Sequence, residues 1–84
     1  MNELEFKLIK DNKEITFYVM ATYHDDNLKK NFIIYTDNTY NKENNLNIYY
    51  SLYEIINNNI KLIPIKNNQE RKICLELIKE LVKK

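Results

Sequence analysis

Over the first two-thirds of the chain, apolar and polar residues alternate with a period of two; over the last third the period lengthens to 3.6. Leu4, Phe6 and Leu8 interleave with Glu3, Glu5 and Lys7, the pattern of a half-buried strand over about residues 3–10. The polar turn Lys10-Asp11-Asn12-Lys13 leads into a second strand, about 14–23, with Ile15, Phe17, Val19, Ala21 and Tyr23 expected on one face. A turn this short joins antiparallel neighbours, because a parallel crossover needs about a dozen residues or more.

His24 to Lys30 reads as a polar loop. Phe32-Ile33-Ile34-Tyr35 is apolar at consecutive positions and places a third strand, about 31–36, in the middle of the sheet. A hydrophilic connection over Thr36–Asn45 is expected before a fourth strand, about 46–56. There Ile48, Tyr50 and Leu52 oppose Tyr49, Ser51 and Tyr53. After Asn57-Asn58-Asn59 a last strand, about 60–65, carries Pro64 near its end, where an edge strand tolerates the missing donor.

The final segment is helical, about 68–83, with Ile73, Cys74, Leu77, Ile78, Leu81 and Val82 on one side and Lys72, Glu76, Lys79, Glu80 and Lys83 on the other. Asn67 is the expected N-cap and Glu70, three residues on, completes a box-like start signal. The apolar stripe needs a partner surface, and the sheet supplies it. The expectation is a single α+β domain over residues 1–84: an antiparallel β-meander of about five strands with one C-terminal α-helix packed on one face.

Composition changes this picture mainly by exclusion. The chain contains no glycine. Gly-x-Gly-x-x-Gly and Gly-Lys-[Ser/Thr] phosphate loops are therefore excluded, as is the glycine-clamped KH type of RNA module. Turns that require a left-handed backbone must use Asn or Asp, the non-glycine residues that enter that region at least cost. With 13 basic and 12 acidic residues the net charge is +1, without the basic excess of most nucleic-acid binders. One cysteine forms no internal disulfide, the acidic start Met1-Asn2-Glu3-Leu4-Glu5 lacks the features of a signal peptide, and no apolar run reaches membrane-spanning length. A cytoplasmic protein without membrane association is expected.

Candidate chemistry is sparse. A structural zinc site wants four Cys or His ligands, and the chain has one of each, Cys74 and His24. His24-Asp25-Asp26 lacks the spacing of a calcium loop and reads as a solvated turn. Ser51 alternates with aromatics in mid-strand. Cys74 sits in the helix's apolar stripe, where a cysteine behaves as a small inert hydrophobe. The expectation is no enzyme, no metal and no cofactor. What remains is the set of tyrosines on predicted strands, of which Tyr18, Tyr35, Tyr49 and Tyr53 form the candidate interaction surface.

Four blocks also resemble the YrzB-like family of small uncharacterised bacterial proteins. They are Ile15-Thr16-Phe17-Tyr18-Val19-Met20-Ala21-Thr22-Tyr23, Phe32-Ile33-Ile34-Tyr35-Thr36-Asp37, Leu46-Asn47-Ile48-Tyr49-Tyr50-Ser51-Leu52-Tyr53 and Leu62-Ile63-Pro64-Ile65, followed by Asn67-Asn68-Gln69-Glu70. The resemblance implies a small cytosolic bacterial protein and carries no catalytic residues. The chain departs from that family in its balanced charge and in loops without glycine.

The functional expectation is a non-enzymatic protein-interaction module that takes a protein partner, or a second copy of itself, through an edge strand. The alternative is an accessory single-stranded RNA- or DNA-binding module using sheet tyrosines and lysines.

Overall fold

The computed structural model describes residues 5–82. Five strands, β1 (Glu5–Lys10), β2 (Lys13–Asp25), β3 (Lys30–Tyr40), β4 (Leu46–Ile56) and β5 (Asn59–Ile63), precede one helix, α1 (Asn68–Leu81). The strands lie in sequence order, and each pairs antiparallel with its neighbours. The α+β meander expected from the pattern is the fold. Residues 3 and 4 of the expected first strand and residue 83 of the expected helix lie outside the described residues.

The turns show how a chain without glycine reverses direction. Positive φ occurs at Asp11, Asn12, Lys29, Asn38, Asn44, Asn57 and Asn58, and every one except Lys29 is Asn or Asp. Asp11-Asn12 (φ 54° and 64°) and Asn57-Asn58 (φ 53° and 68°) each supply two consecutive left-handed residues. That is the requirement of the two-residue hairpin turn whose twist matches the strands. The β2–β3 turn is tied by Asp25, whose carboxylate accepts from Leu28 N at 2.9 Å and whose carbonyl accepts from Lys29 N at 2.7 Å.

Three expectations are corrected. First, the alternation of β2 does not run through on one face. Val19 pairs with Tyr35 but Ala21 pairs with Ile34, so Met20 is an extra residue in a β-bulge. The bulge moves Ala21 and Tyr23 to the face opposite Ile15, Phe17 and Val19, and Met20 and Ala21 both pack toward the helix. Second, Thr36–Asn45 is not one long connection, because β3 runs on to Tyr40. A second irregularity between Thr36 and Tyr40 leaves backbone groups off the ladder, and local side chains engage them. Thr36 Oγ1 donates to Asn47 O at 2.6 Å and accepts from Asn38 N at 3.1 Å. Likewise His24 and Asp25 belong to β2 and Lys30 to β3, so the polar loop shrinks to a turn. Third, the helix ends at Leu81, and Val82 is exposed rather than part of the packed stripe.

The helix lies across β3 and β4. Phe32, Ile34, Leu52 and Cys74 form the buried centre of that layer, with Ile48, Ile63, Ile73 and Leu77 around it. Ile33 points the other way and is still 0 % exposed, with Tyr35 and Ser51 beside it also buried. Among the described residues no helix covers that face; the sheet covers it by curling. The sheet is nearly barrel-shaped, and the edge strands β1 and β5 border a common cleft. The sheet therefore has an outer face under α1 and an inner face lined by its own side chains.

Candidate functional site

Three features could carry function: the tyrosine-rich inner face, the seam between the two edge strands, and the polar cluster where the helix begins. The inner face is built by register. Phe6 lies opposite Phe17 and Tyr35 opposite Tyr49, which puts four rings in one contiguous patch. Phe17 and Tyr35 meet edge to face at 5.3 Å between centroids, Phe6 and Tyr35 at 5.4 Å, and Phe17 and Tyr49 at 5.9 Å. The hydroxyls are satisfied as well. Tyr35 and Ser51 share a buried hydrogen bond of 3.0 Å, and Tyr49 donates to Asp37 Oδ2 at 3.1 Å.

Asp37 closes one end of this face. Partial burial would raise its pKa, but the Thr39 hydroxyl and N–H and the Tyr49 hydroxyl all donate to it and hold the carboxyl below its ordinary value. Tyr49 shifts the opposite way, upward, through burial and through its bond to that carboxylate. Leu8, Ile15, Phe17, Tyr35 and Tyr49 wall a hollow of about 480 Å³ beside Asp37, with Lys10 at its rim.

The seam is a cleft of about 550 Å³ bordered by Glu5, Phe6 and Lys7 on one side and Asn58, Asn59 and Ile60 on the other. Turn geometry tells which backbone groups face it. A two-residue turn closes on a hydrogen-bonded pair, here Lys10–Lys13 and Ile56–Asn59, and bonded pairs then alternate along each ladder. The N–H and C=O groups of Phe6 and Leu8 are spent on β2, and those of Lys61 and Ile63 on β4. The groups of Glu5, Lys7 and Ile9 on β1, and of Ile60 and Leu62 on β5, point out of the sheet.

At the helix start, Asn67 caps as expected: its Oδ1 accepts from Glu70 N at 2.8 Å. The return bond of the expected box is displaced by one residue, since Glu70 Oε1 accepts from Lys66 N at 3.4 Å instead of from Asn67. Glu70 is only 3 % exposed and is paired with Lys30, whose ammonium donates to Oε2. That bond, ahead of the opposing effect of burial, holds the Glu70 carboxyl below its ordinary range. One turn further along α1, burial and the nearby Glu70 charge push the Cys74 thiol up to about 11, so at neutral pH it stays protonated.

The four tyrosines singled out from the sequence do not share one surface. Tyr35, Tyr49 and Tyr53 belong to the inner face, while Tyr18, paired with Glu5 and Thr36, belongs to the outer. Tyr35 is buried in the ring cluster; Tyr49 is 38 % exposed. His24, at the end of β2, has Nδ1 2.7 Å from Asn31 Oδ1 and Nε2 3.3 Å from Asp26 Oδ1. Among the described residues no group of three His, Cys, Asp or Glu side chains gathers as a metal site would, and no helix is long and apolar enough to cross a membrane. Sequence reading missed the Asp37–Tyr49–Thr39 cluster and the Lys30–Glu70 pair. Neither was readable: Asp37 and Thr39 lie in a run that reads as loop and meet Tyr49 only across the β3–β4 ladder, and Lys30 and Glu70 are forty positions apart. No family model, curated protein or solved structure matches this chain.

Proposed function

We propose that this protein is a non-enzymatic interaction module that binds a protein partner through the free edges of its curled sheet. The observation that carries the reading is the seam: two unpaired edge strands border the same cleft, with outward-pointing backbone groups on both. Unpaired edges are templates for strand addition, and natural sheets that do not use them hide or block them. Here β1 has no proline among its described residues, and Pro64 lies beyond the last residue of β5. The reactive groups elsewhere are engaged or buried: the Ser51 hydroxyl is bonded to Tyr35, and the Cys74 thiol lies in the core.

The same geometry favours a protein partner over single-stranded nucleic acid. Base stacking wants several rings open on one face, whereas Tyr35 is buried, Tyr18 faces away and the Tyr49 hydroxyl is held by a carboxylate. The test combines sedimentation of the purified protein with affinity capture from its source cells, followed by hydrogen exchange on any complex recovered. The expected result is slowed exchange at the amides of Glu5, Lys7 and Ile9, or of Ile60 and Leu62. A strict monomer that captures no protein overturns the reading.

A further inference from the structure

We propose, independently of the strand edges, that the hollow beside Asp37 binds a small aryl-alkyl amine, its ammonium group on the Asp37 carboxylate and its ring on the inner face of the sheet. The site begins with a charge that no neighbouring side chain balances. Asp37 Oδ1 accepts from the N–H and the hydroxyl of Thr39, at 3.1 and 2.6 Å, and Oδ2 accepts from the Tyr49 hydroxyl at 3.1 Å. These donors are neutral. They fix the carboxylate in place and favour its ionised form without cancelling its charge. Among the described residues no lysine, arginine or histidine forms a salt bridge with it.

Lys10 borders the same hollow but stands at another level of the sheet. Phe6 lies opposite Phe17, and Phe17 and Asp37 each lie one residue to the same side of the Tyr18–Thr36 pair, so the three share a level. Lys10 is four residues further along β1, about 13 Å of strand rise from that level. The walls select the body of the ligand. The hollow measures about 480 Å³ and is lined by Leu8, Ile15, Phe17 and Tyr49 among others, a size and character suited to a small molecule. Tyr49 is 38 % exposed, and its hydroxyl bond holds an accessible ring beside the carboxylate. Asp37 repels an anion, and a hydrated inorganic cation gains nothing from apolar walls. An ammonium carried on a ring uses both features.

The test titrates the full chain with phenethylamine, the neutral phenethyl alcohol and the anionic hydrocinnamate, following amide chemical shifts. The amine is expected to bind at millimolar concentration, at least about tenfold more tightly than the other two, with shifts centred on Phe17, Asp37 and Tyr49. Asp37→Asn, checked for unchanged circular dichroism, is expected to reduce the amine to the affinity of the alcohol. Lys10→Met is expected to leave amine binding within about twofold. On the unaltered protein, added salt is expected to weaken the amine and not the alcohol, which tests the charge even where Asp37→Asn fails to fold. Butylamine, which copies a lysine side chain, is expected to bind more weakly than phenethylamine; equal affinity would assign the site to a partner's lysine and overturn the small ligand. Equal binding of amine, alcohol and acid, tighter binding of the acid, or no binding of any of them also overturns it. So does an amine affinity that rises about tenfold in Lys10→Met, since Lys10 would then be the counter-charge of Asp37.

Discussion

The two faces of this sheet solve the same burial problem with different chemistry. Under the helix the layer is largely aliphatic: Ile34, Leu52, Ile48, Ile63, Ile73 and Leu77 surround Phe32 and Cys74, and the outer face depends on α1 to exclude water. The inner face centres on an aromatic cluster flanked by Leu8, Ile15 and Ile33. Its Phe6, Phe17, Tyr35 and Tyr49 cover one another, their hydroxyls end on Ser51 and Asp37, and part of the surface stays open. Aliphatic side chains have no polar end to leave in water, so they need a lid. Tyrosines carry one, so they build a face that is stable half-wet.

The largest way to break the contrast is to open a cavity on the covered side. Phe32→Ala is expected to cost about 3–5 kcal/mol, against about 2 kcal/mol for Phe17→Ala on the half-exposed side. Equal costs in urea denaturation would erase the distinction between the faces.

Next in size is the ion pair that fixes the helix start. Lys30→Met leaves the Glu70 carboxylate buried without its donor and is expected to cost about 2 kcal/mol, or roughly 8–16 °C in Tm for a domain of this size. It also changes the response to acid. The folded-state pKa of Glu70 is depressed, so its stabilising contribution is complete above the ordinary glutamate value of 4.5 and is lost as pH falls through the depressed value. Denaturation titrations below pH 4.5 are expected to show this loss in the native chain and not in Lys30→Met. An unchanged acid limb would remove Glu70 from the account.

A smaller effect tests the polar side of the aromatic face. Tyr35→Phe leaves the buried Ser51 hydroxyl without its partner and is expected to cost about 1 kcal/mol, with the ring cluster unchanged by near-ultraviolet circular dichroism. Smallest, and opposite in sign, is Lys29→Gly. Lys29, at φ 55°, is the one positive-φ residue among the described residues that is neither Asn nor Asp. Replacing it is expected to stabilise the β2–β3 turn by about 0.5–1 kcal/mol, while Asn58→Gly, at a site asparagine already suits, gains less. A larger gain at Asn58 would contradict the view that asparagine serves here as the substitute for glycine.

How legible each part was follows from how local its cause is. The period of two, the period of 3.6, the Asn67 cap and the Asx turns act over a few residues, and they specified the strands, the helix and their order. The bulge at Met20 was not legible, because an extra residue leaves the apolar alternation of β2 unbroken while switching its face. The run Thr36-Asp37-Asn38-Thr39 reads as loop by composition. It is strand and bulge because its side chains engage the backbone groups that the ladder leaves free. The candidate tyrosines were recognisable as strand residues; their division between two faces, and the burial of Tyr35, depended on register and curl.

By itself, then, the sequence determined a glycine-free antiparallel meander closed by an amphipathic helix, because those outcomes rest on backbone preferences and on periodicity along the chain. Only the tertiary structure decided that the sheet curls until β1 and β5 share a cleft, that Lys30 reaches Glu70, and that Asp37 receives Tyr49. Each of these joins residues far apart in the chain, and their meeting is set by accumulated twist, bulges and packing, which no local pattern encodes.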